Sequence, residues 1–299
     1  MLLGSFYKKH IHLPADETPP EIKNNPKLYP YFRNARGAID GSHFHAWVLS
    51  DCMARYRNRK GFIGQNVLAA CNFAMLFVYI LSGWEGSASD SLIFEYAREH
   101  DFAVPVGMYY LADAGFPLCD VLLTPYRGVR YHLKEWGTAR QKYVSSVVRV
   151  SFIYISFSRP KTKEELFNLR HAQAQNVVEC IFSILNQQFA VFSRAPEYPI
   201  ETQTRLIPAI SALHNFLRIH DRTDEAHDLG SNNTLHREGS GSISSFVTED
   251  IAEQEEIAPE ELGMQISEAE KVCASACRDC IAQQMWDDYI AYTAEHGGD

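Results

Sequence analysis

Several features that mark common enzyme and membrane classes are missing from this sequence of 299 residues. It has no run of about 18 uncharged apolar residues, so we expect no membrane span. It has no glycine-rich phosphate loop and no nucleophile elbow, which argues against P-loop and serine-hydrolase chemistry. The first residues lack the order of a signal peptide, so secretion is not expected. Its seven cysteines are odd in number and scattered, which suits a reducing compartment rather than a disulfide framework.

Positive charge is scarce only in the last part of the sequence. The net charge of -9 divides into -14 for residues 222–299, which hold 18 acidic and 4 basic residues, and +5 for residues 1–221. Residues 222–265 are acidic and rich in Ser, Gly and Asn, so we predict disorder there. The body is mildly basic, as a surface that faces DNA can be.

Two acidic residues follow apolar segments that have the pattern of buried strands. In YYLADAGFP, residues 109–117, the strand stops at Asp113 before a turn. In RGAIDGSH, residues 36–43, two apolar residues lead into Asp40. A chain that buries both faces of a strand and ends it in an acid often uses that acid for chemistry. A turn cap is the alternative for each.

A third candidate acid, Glu179, lies on the best-defined helix of the sequence, residues 162–189. The helix begins with a capping box, Thr162-x-x-Glu165. Glu179 lies at the edge of an apolar stripe, about 100° from its neighbour Val178, although a solvated edge residue is the alternative. The stripe consists of Val178, Ile181, Phe182, Leu185 and Phe189.

The order of the elements predicts an α/β, ribonuclease H-like fold with a central mixed sheet flanked by helices. Three strands come first, of which one ends at Asp40 and two form a hairpin at 65–73 and 76–81. A helix separates them from the strand that ends at Asp113, and the first and fourth strands should lie side by side at the centre. The other predicted elements are a loop at 83–91, a helix at 92–98 capped by Ser89, and helices at 202–219 and 267–293.

The chain divides into three parts. Residues 1–35 hold five prolines and are predicted to be a surface-wrapping lead-in. Residues 36–220 form the predicted catalytic domain, and residues 221–299 form an acidic tail with a possible terminal helix. Within the domain, residues 141–158 change abruptly in composition. We predict an insertion there, and hypothesise translated intron sequence because the flanking residues rejoin sensibly without it.

Asp40, Asp113 and Glu179 together predict a site for divalent metal. Two-metal phosphoryl transfer needs acids that converge from separate elements onto ions about 3.5–4 Å apart. Mg²⁺ and similar ions such as Mn²⁺ prefer carboxylate oxygen. His43 and Asp90 are candidates for supporting these acids, although Asp90 equally suits the first turn of a helix.

Basic residues in two clusters are candidates for DNA contact. The second cluster, in LTPYRGVRYHLKEW, interleaves cations with aromatic rings, which suits phosphate contact and base stacking. A polar loop with a few buried rings is the alternative. The candidates are Arg57, Arg59, Lys60, Arg127, Arg130 and Lys134.

Other polar groups are predicted to be structural. The spacing Cys273-x3-Cys277-x2-Cys280 resembles part of a zinc site, but no His pair or second Cys pair follows it. Structural rather than catalytic roles are also predicted for His171, His214 and Asn215.

Seven stretches together resemble a known family: AIDGSH, RNRKGFIGQNVLAAC, GWEGSASDS, YYLADAGFP, LTPYRGVRYHLKEW, ELFNLRHAQAQNVVECIF and ALHNFLR. They cover roughly residues 20–220. They resemble the catalytic domain of fungal-type PIF/Harbinger transposases, and also that of the nuclease-like genes derived from such transposases. The resemblance implies catalytic acids at Asp40, Asp113 and Glu179, bound Mg²⁺ or Mn²⁺, and cutting and joining of DNA at transposon terminal repeats. It also implies action in the nucleus, with a separate DNA-binding partner protein and a homo-oligomer as further expectations.

The sequence departs from the family pattern in ways that suggest an alternative function. No helix-turn-helix region is seen ahead of the catalytic domain, and the insertion separates Asp113 from Glu179. The helix that carries Glu179 is basic in the family, close to RNxIERxFGxLKRRF, and fewer cations should weaken phosphate binding. An inactive or domesticated DNA- or protein-binding module is therefore the alternative function. The residues that stand in place of the basic pattern are Gln175, Cys180, Asn186, Gln187 and Gln188.

Overall fold

The structure is a computed structural model that describes residues 4–131, 133, 159–192, 194–220 and 266–296. The predicted insertion at 141–158, Lys134 and the predicted disorder of 222–265 lie outside these residues. The described chain forms a five-stranded mixed sheet with helices packed on both faces. The predicted α/β, ribonuclease H-like class is confirmed.

The sheet has the strand order β3-β2-β1-β4-β5, with β1 at its centre. Antiparallel pairing joins β1 to β2 and β2 to β3, while parallel pairing joins β1 to β4 and β4 to β5. The first and fourth strands therefore lie side by side, as predicted. The strands are β1 (Ala35–His45), β2 (Gly64–Cys71), β3 (Phe77–Glu85), β4 (Tyr109–Leu111) and β5 (Leu122–Leu123).

The predicted ends of β1 and β3 are wrong by four or more residues, whereas β2 and β4 each end two residues before the predicted positions, at Cys71 and Leu111. β1 does not end at Asp40 but continues to His45, because these residues pair with β2 although pairing with β4 stops at Ala38. β3 continues to Glu85, into the predicted loop at 83–91, because its last two residues pair with the start of β2. In both cases an antiparallel neighbour extends the strand beyond its apolar run.

Helices cover the two faces of the sheet. α4 packs on one face, where Phe94 and the Tyr110 side chain share an apolar cluster. α5, α6 and α7 pack on the other, where Leu111 and Val178 share a second cluster. Strand β4 therefore buries both of its faces, as predicted. The helices are α1 (Ser5–His10), α2 (Pro20–Lys23), α3 (Met53–Tyr56), α4 (Asp90–His100), α5 (Lys163–Gln188), α6 (Ile200–His220) and α7 (Glu268–Glu295), with 3-10 helices at Ser50–Cys52 and Ala190–Phe192.

The caps confirm two predicted helix starts. At α4, the Leu92 N–H donates to Ser89 Oγ (3.3 Å). At α5, the Glu165 N–H donates to Thr162 Oγ1 (3.2 Å). The Glu165 carboxylate accepts from the Lys161 N–H (2.7 Å), one residue before the donor that a capping box uses. The predicted stripe is buried at Val178, Ile181, Phe182 and Leu185, with Phe189 packed against it.

Both ends of the described chain contribute to the core. In the lead-in, Ile22 and Phe32 are fully buried, so this segment is anchored in the core as well as wrapped around it. In α7, Ala282 and Met285 are fully buried in the cluster that α5 also enters. The predicted terminal helix is confirmed and is part of the fold. Within the described ranges, no helix combines the length and hydropathy needed to cross a bilayer.

Met285→Ala is expected to lower the free energy of unfolding by about 2–5 kcal/mol, because it leaves a cavity where α7 meets the core. Val272→Ala on the same helix, at a side chain that is 60% exposed, is the control. Its effect should stay within about 0.5 kcal/mol. Denaturant unfolding followed by circular dichroism measures both, and equal effects would contradict the docking of α7.

Candidate active site

Asp40 lies in β1, two residues beyond the last pairing of that strand with β4. The Gly41 N–H donates to its Oδ1 (2.8 Å). Burial raises the pKa of Asp40 well above its ordinary value, and repulsion from Asp113, Asp90 and Glu179, in that order, raises it further. Four carboxylates from distant parts of the sequence therefore share one electrostatic environment.

Asp113 begins the predicted turn after β4, and the turn is held from two sides. The Gly115 N–H donates to Asp113 Oδ1 (2.8 Å). Ser91 Oγ, in the first turn of α4, donates to the Gly115 carbonyl (2.7 Å). Arg127 Nε donates to the Ala114 carbonyl (3.1 Å). Backbone and neighbouring side chains thus fix the direction of the Asp113 carboxylate.

Glu179 lies on α5, directly after the fully buried Val178. The residue is exposed, and its charge raises the pKa of Asp40 and of Tyr131. The helix therefore presents this carboxylate at the boundary between core and solvent, which is the position that the apolar stripe predicts.

Asp90, the first residue of α4, packs directly against β1. Asn66 Nδ2 on β2 donates to Asp90 Oδ1 (2.7 Å). A Cβ added to Gly41 would lie 2.0 Å from the same oxygen, so only glycine leaves room for this carboxylate. Asp90 therefore lies in the first turn of α4 and also contacts β1, the strand that carries Asp40.

His43, the other candidate for a supporting role, is turned toward a loop. Its Nε2 donates to the Gly86 carbonyl (3.0 Å), and its ring packs edge-on against Phe62. Its contacts in the described chain are with these neighbours rather than with the acids. His43 therefore supports the backbone near the site.

Tyr131 belongs to the site, although the sequence pattern indicates only a stacking ring. Burial raises the pKa of Tyr131 well above its ordinary value, and the charges of Asp113, Glu179 and Asp40 raise it further. Its hydroxyl lies 3.4 Å from His171 Nδ1. The phenol therefore keeps its proton at neutral pH, and its acceptors in the described chain include His171 Nδ1 and Gln175 Oε1.

The residues predicted to be structural have structural contacts. His171 Nε2 donates to the Leu123 carbonyl (2.8 Å), and burial lowers the pKa of His171 to about 4. The Asn215 side chain exchanges two hydrogen bonds with the backbone of Phe77 (2.9 and 2.7 Å). His214 likewise donates to a backbone carbonyl.

The first basic cluster forms a loop between α3 and β2. Arg57 donates to the Gly61 carbonyl (2.8 Å) and so helps to hold the loop. Arg59 and Lys60 are exposed. Phe62, at the end of the loop, packs against two histidine rings at the end of β1. The loop therefore lies beside the end of the strand that carries Asp40.

The two described arginines of the second basic cluster differ in exposure and in their partners. Arg127 is exposed at the turn that holds Asp113. Arg130 is half-buried in an ion pair with Glu165 (3.2 Å) at the start of α5. Lys134 lies outside the described residues. Arg127 is thus available to a phosphate, whereas Arg130 stabilises α5.

The donor set fits a small, hard divalent cation. Mg²⁺ is bound through carboxylate oxygens and water, and Asp40, Asp113 and Glu179 supply such oxygens. The neighbouring charges that raise the pKa of Asp40 all come from carboxylates. A divalent cation among them would remove this repulsion.

A comparison with known protein families finds one that matches the part of the chain that contains the candidate acids. Residues 39–215 match the family described as DDE superfamily endonuclease. No curated protein and no solved structure matched the chain. The matched range is more than half of the 299 residues and includes Asp40, Asp113 and Glu179. The chain therefore belongs to the DDE superfamily of endonucleases.

Proposed function

We propose that the protein is a metal-dependent DNA endonuclease of transposase type, which cuts and joins DNA by phosphoryl transfer. The observation that carries this proposal is that Asp113, Asp90 and Glu179, each from a different part of the fold, lie close enough to Asp40 for their charges to raise its pKa. Such repulsion destabilises a folded protein unless cations compensate for it. Membership of the endonuclease superfamily supports the same conclusion.

The residues of the chain hold and orient the reacting groups. Asp40, Asp113 and Glu179 would bind Mg²⁺ or Mn²⁺ between β1, the turn after β4, and α5. When bound, such ions supply an activated attacking oxygen and stabilise the leaving oxygen. A backbone N–H holds Asp113 in place, and Asn66 holds Asp90 against β1. The acids are therefore positioned before substrate arrives.

The loop at 57–60 and Arg127 would guide DNA to the acids. Much of the affinity for a duplex comes from phosphate contacts with Lys and Arg. The loop lies beside the end of β1, and Arg127, which follows β5, donates to the Ala114 carbonyl in the turn after β4. A duplex that contacts both places would have its backbone close to Asp40.

Replacing Arg59 and Lys60 together with Ala is expected to weaken DNA binding and to reduce its dependence on salt. Each lost phosphate contact reduces the slope of log K against log salt by about 0.9, so the slope should fall by about 1–2. Fluorescence anisotropy with a labelled duplex at several NaCl concentrations measures this. The control removes the exposed Lys23 and Lys27 of the lead-in and should keep the wild-type slope. A wild-type slope in the loop variant would exclude the loop from the DNA path.

One feature of α5 favours a second candidate function. From residue 171 to its end at Gln188 the helix carries no Lys or Arg, so a phosphate near Glu179 meets few cations from this helix. A domesticated or inactive module that keeps the fold and binds DNA or protein is consistent with this feature.

A cleavage assay separates the two functions. The full chain and Asp113→Asn are incubated with duplex DNA that carries candidate terminal repeats, in Mg²⁺, in Mn²⁺ and in EDTA. Cleaved or joined products from the wild type alone, and only with metal, are expected for the endonuclease. Equal inactivity with intact DNA binding would support the module instead. Equal cleavage by both proteins would contradict the role of Asp113.

The biological setting follows from transposase chemistry. We propose that terminal repeats are the substrate and that the protein acts in the nucleus. A separate DNA-binding partner protein would supply sequence recognition, and a homo-oligomer would bring two transposon ends together. Chromatin immunoprecipitation at candidate repeats tests the first of these proposals.

A further inference from the structure

An apolar stripe on α6 faces away from the core. Leu213 and Leu217 are 38% and 39% exposed, and Leu206 and Ile210 are half-buried. The four residues follow one another at intervals of four, three and four, which places them on one side of a helix. A stripe of this kind normally packs against the core of its own domain, so its outward direction here has to have a physical cause.

The cause is that buried polar side chains occupy the core-facing side of α6. Gln203 Nε2 donates to the carbonyls of Trp47 (2.7 Å) and Tyr198 (2.6 Å). Asn215 Nδ2 donates to the Phe77 carbonyl (2.7 Å). Rotation of the helix to bury the leucines would separate these buried groups from their partners, which destabilises a fold. The buried polar residues of α6 are Gln203, Ser211, His214 and Asn215.

The stripe is continuous with apolar surface at the end of α5. Leu206 and Val191 line the same small pocket, so the two residues are neighbours. His214 Nδ1 lies 3.0 Å from Gln188 Oε1, which joins α6 to the last turn of α5. Phe189 and Val191 are half-buried and pack against the core from this side. The apolar surface is therefore wider than one helix.

The charge of this surface indicates the class of its partner. Residues 206–217 contain no Lys, Arg, Asp or Glu. DNA is bound largely through cations that contact phosphates, so the stripe does not suit DNA. A row of exposed apolar side chains is typical of a surface that binds another protein.

The spacing of the stripe fits a second copy of the same chain. Intervals of four, three and four read the same in both directions along the helix. Two copies related by a two-fold axis present the same patch to each other. In an antiparallel pair of α6 helices, Leu206 of one copy would meet Leu217 of the other, and Ile210 would meet Leu213. Each apolar side chain of the stripe would thus gain an apolar partner.

The charges at the two ends of α6 favour the same arrangement. Its first turn carries Glu201, and its last turn carries Arg218 and His220. An antiparallel pair places the first turn of one helix beside the last turn of the other. Opposite charges and opposite ends of the helix dipoles would then lie together. A parallel pair would instead bring like charges together at both ends.

We propose that two copies of the chain form a two-fold dimer through antiparallel α6 helices, with the stripe at the centre of the interface. A two-fold contact closes on itself, so assembly would stop at the dimer. This proposal gives a surface to the homo-oligomer proposed above. It does not depend on DNA cleavage, and its tests therefore use neither DNA nor metal. The interface residues are Leu206, Ile210, Leu213 and Leu217.

The oligomeric state of the full chain tests the proposal. Sedimentation velocity at micromolar concentration should show a dimer for the wild type and for Asp113→Asn. Leu213→Glu combined with Leu217→Glu should raise the dimer dissociation constant at least about a hundredfold, because four buried leucines are lost from each dimer. Ile219→Glu is the matched control, since Ile219 is 51% exposed on the same helix and lies about 160° around it from Leu217. A monomeric wild type, or a double variant that remains dimeric, would overturn the proposal.

Chemical cross-linking tests the direction of the two helices. Leu206→Cys and Leu217→Cys are placed in two differently tagged chains that are co-expressed and treated with a short bis-maleimide. Both chains carry Ser at the exposed positions Cys273, Cys277 and Cys280. We expect the main product to join the two different chains, whereas a parallel pair would join each chain to its own kind. Absence of the mixed product would contradict the antiparallel interface, and this result decides even if the double Glu variant fails to fold.

Discussion

Replacing Asp40 with Asn is expected to reduce DNA cleavage by roughly 10³-fold or more, and to raise the melting temperature of the metal-free protein. The loss of activity is of the order seen when a principal charge-stabilising group is removed. The gain in stability follows from the repulsion that Asp113, Asp90 and Glu179 exert on the Asp40 carboxylate. Asn keeps an oxygen for the Gly41 N–H, which donates to Asp40 in the wild type.

The effect on stability should depend on pH in a defined direction. The pKa of Asp40 is raised in the folded state, so the folded protein holds this proton more tightly than the unfolded chain does. Below about pH 4 both states are protonated, and wild type and variant should be equally stable. As the pH rises from there through the folded pKa of Asp40, the wild type loses stability and the variant does not.

Thermal unfolding in EDTA from pH 4 to 8 measures this difference, with about 2–4 °C expected for each kcal/mol. Asp51→Asn removes an exposed carboxylate and is the control. Added Mg²⁺ should stabilise the wild type and should have less effect on Asp40→Asn, because the ion binds only the intact site. An Asp40→Asn protein that responds to Mg²⁺ as the wild type does would contradict the assignment of Asp40 as a metal ligand.

Gly41→Ala is expected to disturb both the fold and the reaction. Its Cβ would lie 2.0 Å from Asp90 Oδ1, so either α4 or the Asp90 side chain must move. Overpacking of this kind costs about 1–3 kcal/mol. The displaced carboxylate would also lose its bond from Asn66, and we expect cleavage to fall by at least tenfold.

A double-mutant cycle identifies the cause. If the Asp90 carboxylate is the obstacle, Gly41→Ala combined with Asp90→Ala should be less destabilising than the sum of the two single changes. Ser42→Ala, at the next position of β1, is the control for a small change in this strand. Strict additivity of Gly41→Ala and Asp90→Ala would rule out the contact as the source of the effect.

The fold class was accessible from the sequence because it depends on local patterns in a fixed order. The apolar runs, the Ser89 cap and the stripe on α5 each indicate one element, and their order indicates the ribonuclease H-like sheet. The end of β1 was not accessible, since the apolar run stops before Asp40 whereas pairing with β2 continues to His45. The docking of α7 depends on contacts with residues far away in the sequence, and no local pattern specifies them.

The candidate active site shows the same difference between what local sequence patterns predict and what depends on long-range contacts. Two candidate acids adjoin predicted strands and one lies on a predicted helix, so their approach follows from the topology. The partners of individual side chains do not follow from it. Arg130 forms an ion pair with Glu165, and Tyr131 lies near enough to the acids for their charges to raise its pKa. Both facts depend on the three-dimensional path of the loop after β5.

α7 places an excess of negative charge at one edge of the described sheet. The helix holds six acidic residues and two basic ones, and it packs at the β4–β5 edge, where Glu270 accepts from the Asp120 N–H. A polyanion that approaches the exposed face of α7 would therefore be repelled. Such repulsion acts over a distance of about a Debye length, so encounters on this face would be disfavoured before any contact forms.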